Sequence, residues 1–193
     1  MDIKRKALDA EVPIEFSEAA LAMADATPNV VTEAEKEGRV DYTEELNSTI
    51  DGADTKDRDD AFALYQREDG VIHAKVLIAD VAHYVPMNSA IYMDALERGT
   101  SCYLADRVIP MLPRKLSNGI CSLDPNVERL AMSYEFDIYD DGSVGNFSVK
   151  ESVIKSRKAF TYDEVQAIYE GNQEVRDANK EYLTADLIKG IIV

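Results

Sequence analysis

The sequence predicts a mixed α/β protein of the α+β kind, with a largely antiparallel sheet surrounded by helices. Apolar and polar residues alternate from Leu130 to Ile138, which is the period of a half-buried antiparallel strand. Glycine-containing turns at residues 67–70 and 141–142 each join two strand-like segments, as in β-hairpins. Helix-capping patterns elsewhere in the chain predict the helices.

The helices and strands are predicted from local patterns, one after another along the chain. Thr32 with Glu35 and Thr161 with Glu164 form capping boxes, in which a hydroxyl and a carboxylate satisfy free backbone N–H groups. Glycine ends several of the predicted helices, because it accepts the left-handed conformation found there. The predicted elements are helices after residue 17 and from 32 to 38, strands at 61–66 and 71–80, a helix at 88–99, strands at 130–138 and 144–154, and a helix from 161 to 171.

Length and composition place the chain among ordinary globular proteins. Its 193 residues suit one domain with a real core, and its hydrophobic and charged contents of 46% and 30% are globular values. We find no apolar run of membrane-spanning length and no signal peptide. Cys102 and Cys121 lie in apolar segments without metal-ligand spacing, which indicates reduced thiols and a cytoplasmic protein.

The net charge of -16 argues against a simple nucleic-acid-binding surface, which is normally basic. The charge is uneven, however. Residues 98–129 and 145–160 each carry more basic than acidic side chains. These two segments either line a groove that follows a nucleic-acid backbone or belong to an ordinary charged surface.

An acidic loop between residues 49 and 61 is the strongest sign of a functional site. Like charges this close together repel one another, and a shared hard cation relieves the repulsion. Mg²⁺ is the natural candidate, with Mn²⁺ as the alternative, because it binds carboxylates together with substrate phosphate oxygens. The pattern therefore favours metal-dependent phosphoryl transfer or phosphodiester cleavage, with a solvated acidic surface as the competing interpretation. The loop carboxylates are Asp51, Asp54, Asp57, Asp59 and Asp60.

Two other acidic motifs do not fit the spacing. An EF-hand loop starting at Asp57 would need an oxygen ligand at Ala61 and a glycine at Phe62. A phosphoaspartyl phosphatase would place its Asp-x-Asp directly after a hydrophobic strand, whereas Asp57 follows a polar segment.

The acidic loop is also the first of several blocks that resemble the RNB domain, the catalytic domain of the ribonuclease II and ribonuclease R family. Later blocks match the family in the same order, so the resemblance is specific and runs from about Gly38 to about Gly171. In this sequence the later blocks are residues 78–85, 98–104, 107–113 and 116–123.

The resemblance implies a hydrolytic 3′-to-5′ exoribonuclease that acts on single-stranded RNA and releases nucleoside 5′-monophosphates. The positions matching the family's catalytic aspartates are Asp51, Asp57, Asp59 and Asp60. We expect all four to converge on the metal site, with Asp59 best placed to position a second metal or the attacking water. Tyr103 matches the family's tyrosine that stacks on the 3′-terminal nucleotide.

The predicted organisation is a lead-in with short helices over residues 1–48 and the N-terminal part of an RNB catalytic domain over 49–193. An apolar helical stripe from Leu183 runs to the last residue, which favours a truncated RNB domain. The family's downstream catalytic arginine and second aromatic clamp have no match in the sequence, and flanking RNA-binding domains are expected in a full-length parent. A catalytically inactive module that binds metal or a protein partner is the alternative.

Overall fold

The computed structural model describes residues 13–105 and 107–183, which form two compact units. The first unit contains the residues up to Asn29 together with Asp80–Cys121, and the second contains Val30–Ala79 with the residues from Ser122 onward. In chain order, the elements are α1 (Glu18–Ala26), α2 (Glu33–Lys36), β1 (Val40–Asp51), β2 (Asp60–Gln66), β3 (Ile72–Ala79), α3 (Val81–Tyr84), α4 (Ala90–Arg98), β4 (Cys102–Tyr103), β5 (Val108–Ile109), a π-helical turn (Leu116–Ile120), β6 (Glu128–Ile138), β7 (Val144–Thr161), α5 (Tyr162–Tyr169) and α6 (Gln173–Ala178).

The second unit is built on a closed five-stranded barrel in the order β1-β2-β3-β6-β7. All neighbouring strands are antiparallel except β1 and β7, which are parallel and close the barrel. The prediction of a mixed α/β fold with a largely antiparallel sheet is therefore confirmed. The closure of the sheet is a finding that the sequence patterns did not predict.

Strand β1 is the element that the sequence patterns missed. Residues 40–48 were assigned to a lead-in, but they belong to the barrel, and the Val40–Asp51 strand pairs with β7 from Ser152 to Thr161. β7 is accordingly longer than the predicted strand ending at residue 154, because its second half pairs with β1. The proposed boundary between residues 48 and 49 stays a prediction.

Burial alternates along β6 as predicted, but the face of the strand that is buried carries mainly polar side chains. A half-buried strand is ordinarily buried on its apolar face. Here Ser133, Glu135 and Asp137 are buried, while Tyr134 and Phe136 are partly exposed.

Hydrogen bonds across the interior of the barrel explain this inversion. The Tyr42 hydroxyl on β1 donates to Glu135 on β6, although these strands are not neighbours, and Lys150 Nζ donates to the other Glu135 oxygen at 2.7 Å. Lys75 on β3 reaches Glu45 on β1 at 2.6 and 2.7 Å. Polar groups can be buried here because each finds a partner inside the barrel.

Helix α5 covers part of the outer surface of the barrel. Ile168 from this helix packs in a buried cluster with Phe160 and Leu183, and partly buried Ile50 and Phe62 from β1 and β2 lie against it. The predicted capping box of Thr161 and Glu164 starts the helix, with the Thr161 Oγ1 accepting from Glu164 N at 3.1 Å. The predicted apolar stripe beyond Leu183 lies outside the described residues.

The first unit contains the predicted helices after Ser17 and at 88–99, which appear as α1 and α4. Ser17 N donates to Asp94 Oδ2 at 2.7 Å, and Arg98 Nη1 donates to the carbonyl of Pro13 at 2.7 Å. The Arg98 guanidinium also lies 3.7 Å from the centre of the Phe16 ring. No helix within the described ranges is long and apolar enough to cross a membrane.

Candidate functional site

The acidic loop connects two strands at one end of the barrel. β1 ends at Asp51, which is aligned with Thr161 of β7, and β2 begins at Asp60, which is aligned with Ile78 of β3. The carbonyl of Asp59 accepts a hydrogen bond from Ala79 N at 2.9 Å, so the loop joins the sheet directly before β2. The loop carboxylates are therefore attached to rigid strand ends.

A second segment of the same unit fixes the middle of the loop. Arg58 N donates to the Ser122 hydroxyl at 3.2 Å, and Leu123 N donates to the Arg58 carbonyl at 2.9 Å. Ser122 is fully buried, and its own carbonyl accepts from Arg129 Nε at 2.8 Å. These bonds define the path of the chain on either side of Asp57 and Asp59.

Asp59 lies within electrostatic range of the other three predicted aspartates. The pKa of Asp59 is raised, first by the loss of hydration and then by the negative charges of Asp57, Asp60 and Asp51. Asp54 is exposed and is not among the charges that affect Asp59. The structure thus separates the four matched aspartates from the fifth loop carboxylate.

An arginine lies among these carboxylates. Arg58 Nε is 3.7 Å from Asp51 Oδ2, and Arg58 Nη1 donates to Asp124 Oδ1 at 2.8 Å. The Nε and the Asp51 Oδ2 are both buried, and neither has a hydrogen-bond partner among the described residues. An ionised oxygen buried in this way has unused capacity for a ligand.

The chemistry of these donors fits a hard divalent cation, but a formed metal site is not present. Carboxylate oxygens are the ligands that Mg²⁺ and Mn²⁺ favour, and the buried Asp51 Oδ2 has no hydrogen-bond partner among the described residues. Within residues 13–105 and 107–183, no three His, Cys, Asp or Glu side chains are grouped so that they could hold a metal ion. The convergence of Asp51, Asp57, Asp59 and Asp60 on a shared metal stays a prediction.

Tyr103 lies in the two-stranded sheet of the other unit, where β4 pairs with β5 and Tyr103 is aligned with Val108. Its side chain is 70% exposed, so it is not a core residue. An exposed aromatic ring is what base stacking requires. Its predicted role against the terminal nucleotide stays a prediction.

The basic segment at residues 145–160 is largely used for contacts within the chain. Lys158 Nζ pairs with Glu164 at 2.9 Å, and Arg157 Nη2 binds the carbonyl of Thr43 at 2.7 Å. Lys150 is bonded to Glu135 inside the barrel. Residues 145–160 therefore offer fewer free cations to a nucleic-acid backbone than their composition indicates.

The fold and the site together define a barrel domain with an acidic cluster at the end of β1 and the start of β2. The model of the RNB domain matches residues 39–190, which is most of the chain. The chain therefore belongs to the RNB domain family.

Named relatives refine this assignment. Ribonuclease R 1 of Lactococcus lactis is 44% identical over 173 residues, which cover 90% of this chain and 21% of that protein. Ribonuclease R of Thermotoga maritima is 44% identical over 169 residues, covering 88% and 24%. The predicted resemblance to ribonuclease R is confirmed, and the chain spans between a fifth and a quarter of the length of these relatives.

A solved structure shares the fold along nearly the whole chain. Mycoplasma genitalium RNase R in complex with ribose-methylated single-stranded RNA superposes with a TM-score of 0.82 at 29% identity. The match covers 98% of this chain and 30% of that one. The likeness supports the RNB fold for the described units.

Sequence reasoning missed the contribution of Arg58, Ser122 and Asp124. Arg58 was visible as the cation that interrupts the acidic run, and this was a usable signal. Ser122 and Asp124 are more than sixty residues from the loop, and only the fold shows that they contact it.

Proposed function

We propose that the chain carries the acidic half of a metal-dependent exoribonuclease site, which hydrolyses single-stranded RNA from the 3′ end and releases nucleoside 5′-monophosphates. The observation that carries the proposal is that the acidic loop joins the end of β1 at Asp51 to the start of β2 at Asp60, at one end of the barrel. The negative charges of Asp57, Asp60 and Asp51 add to the effect of burial in raising the pKa of Asp59. Ribonuclease R proteins related to this chain at 44% identity support it.

In this proposal the four aspartates have different roles, which depend on their positions in the loop. Asp51, Asp57 and Asp60 supply oxygen ligands, and Asp59 orients the attacking water or a second metal. When bound, the divalent cation supplies charge stabilisation to the phosphate and lowers the pKa of bound water. The raised pKa of Asp59 suits a group that accepts a proton from water, because proton acceptance is favoured as the pKa approaches the working pH.

Tyr103 supplies the second part of the proposal. In this proposal its exposed ring stacks on the base of the last nucleotide and so holds that nucleotide in a fixed register. Stacking of this kind contributes about 1–3 kcal/mol per base and accepts any base. The tyrosine therefore sets the length at which degradation stops.

The remaining parts of the proposal concern the surroundings. We place the protein in the cytoplasm, because Cys102 and Cys121 lie in apolar segments without metal-ligand spacing, as expected of reduced thiols. The much greater length of the relatives leaves room for flanking RNA-binding domains in a full-length protein.

The test is the digestion of labelled single-stranded RNA by the chain in Mg²⁺, with products sized on a gel and RNA binding measured separately. We expect Asp59→Asn to retain RNA binding and lose mononucleotide release. Tyr103→Ala is expected to retain release, bind short RNAs less tightly and leave a different shortest product.

Mononucleotide release that continues in Asp59→Asn would contradict the proposed role of this aspartate. Identical end products for Tyr103→Ala and the wild type would remove the tyrosine from substrate binding. Asp54→Asn serves as the control, because Asp54 lies outside the four matched positions.

A non-catalytic module that binds metal or a protein partner is the second candidate. The net charge of -16 and the internal pairing of Lys150, Arg157 and Lys158 favour it. The same digestion separates the two candidates, since this module would release no mononucleotides from RNA at any metal concentration.

A further inference from the structure

We propose that Arg58 is an internal counter-cation of the acidic cluster, a positioning residue that neutralises Asp51 without metal and thereby sets the metal affinity of the site. The inference rests on the proposed function, because it takes the cluster of Asp51, Asp57, Asp59 and Asp60 as the metal site. It adds a residue that is not among the four aspartates matched to the family's catalytic positions.

The first observation that supports this inference is the ion pair between Arg58 and Asp51, whose atoms are too far apart for a hydrogen bond. Arg58 Nε and Asp51 Oδ2 lie 3.7 Å apart, and both atoms are buried without a hydrogen-bond partner among the described residues. Their attraction is stronger than at the open surface, because the side chains are only 16% and 17% exposed. The Asp51 oxygen is thus balanced by a nearby positive charge but accepts no hydrogen bond from the described residues.

The second support is that Arg58 cannot easily move away. Its N–H and its carbonyl are bonded to Ser122 and Leu123, and its Nη1 is held by Asp124 at 2.8 Å. Ser122 Oγ also donates to Asp124 Oδ1 at 3.2 Å, which fixes the carboxylate that holds the guanidinium. The positive charge therefore stays next to Asp51 whether or not a metal arrives.

The negative charges of the four aspartates are therefore compensated to different extents. Asp51 has Arg58 beside it, whereas Asp59 experiences Asp57, Asp60 and Asp51 as like charges. A divalent cation gains most where the negative charge is uncompensated, and a fixed guanidinium near one ligand repels it. Arg58 therefore weakens metal binding while it stabilises the metal-free loop.

The experiment measures Mn²⁺ binding to the chain by the EPR signal of free Mn²⁺, with Mg²⁺ as competitor. Arg58→Met removes the charge and keeps most of the side-chain volume, and we expect it to tighten Mn²⁺ binding by roughly threefold to tenfold. Arg58→Lys keeps the charge and should stay within about twofold of the wild type.

Arg67 provides a matched control. It also lies between two aspartates, with Nη1 2.8 Å from Asp137 and Nη2 2.9 Å from Asp69, but it directly follows the opposite end of β2. Arg67→Met should leave Mn²⁺ binding unchanged. Tightening in Arg67→Met equal to that in Arg58→Met would mean that net charge alone is responsible and would overturn the inference.

Asp124→Asn provides a second test that does not depend on the folding of Arg58→Met. The substitution frees the guanidinium from its other partner and removes a negative charge, so Mn²⁺ binding should weaken about threefold. Unchanged or weaker binding in Arg58→Met, or tighter binding in Asp124→Asn, would overturn the role of Arg58.

The outcomes also distinguish this inference from the proposed function. If the wild-type chain binds no Mn²⁺, both fail. If the wild type binds Mn²⁺ and Asp60→Asn abolishes that binding, but Arg58→Met does not tighten it, the metal site stands and only the role of Arg58 is wrong.

Discussion

At the scale of single residues, Asp59 carries the clearest sign of an electrostatically strained site. Loss of hydration, followed by the negative charges of Asp57, Asp60 and Asp51, raises its pKa above the ordinary value for an aspartate. The folded chain therefore binds this proton more tightly than the unfolded chain does. Stability from this group is present at low pH and is lost as the pH rises through the folded pKa.

We expect Asp59→Asn to stabilise the metal-free chain at pH 7, because it removes one member of the repelling group. The gain should lie within roughly 1 kcal/mol, since the Asp59 residue keeps contact with solvent despite its partial desolvation, and salt screens the repulsion. It should vanish near pH 3, where the carboxyl is protonated in both states. The measurement is urea unfolding at both pH values without metal.

The control for this prediction is Asp54→Asn, which removes the same charge from the same loop but is not among the charges that affect Asp59. Its effect should be smaller. Destabilisation by Asp59→Asn at pH 7, or a gain that is as large at pH 3, would contradict the account of repulsion.

At the scale of elements, β6 shows that a strand period does not reveal which face is buried. The alternation from Leu130 to Ile138 predicted the strand correctly. The burial of Glu135 depends on Tyr42 and Lys150, which lie on other strands, so a local pattern contains no information about it. Burial alone would raise the pKa of Glu135, but these hydrogen bonds outweigh it and lower the pKa.

A comparison of neighbouring positions on β6 tests this orientation. Glu135→Ala should cost about 3 kcal/mol, because it removes the buried carboxylate that accepts from both Lys150 and the Tyr42 hydroxyl and leaves them only their mutual 3.3 Å contact. Tyr134→Ala should cost about 1–2 kcal/mol, since that side chain is only partly buried. Urea unfolding of the two variants provides the values, and the reverse order would place the apolar face inside.

The same limit explains the missed strand β1. Residues 40–48 look like an acidic lead-in because Glu45 and its neighbours are polar. In the barrel, Glu45 pairs with Lys75, and Asn47 Nδ2 donates to the carbonyl of Tyr42 at 2.9 Å. Hairpins and capping boxes involve residues close in sequence and were predicted, whereas pairing between β1 and β7 joins residues more than a hundred positions apart.

At the scale of the whole molecule, the acidic loop could be singled out from the sequence, whereas the closed barrel to which it is attached could not. The aspartates are recognisable because their spacing belongs to a family motif, and the RNB domain match agrees with it. Arg58 and Asp124 depend on a contact between distant segments. The aspartates of one loop can be recognised because they are close together in the sequence. The contact of Arg58 with Asp124 can be recognised only once the fold brings the two segments together.

The central claim is that the four matched aspartates share a divalent metal, and a crystal of the chain soaked in Mn²⁺ tests it most directly. Collected at the manganese absorption edge, the data should show an anomalous peak bound by carboxylate oxygens of Asp51, Asp57 and Asp60, with Asp59 facing the same ion or a second one. A peak elsewhere, or carboxylates that point to different faces of the fold in the soaked crystal, would contradict the claim.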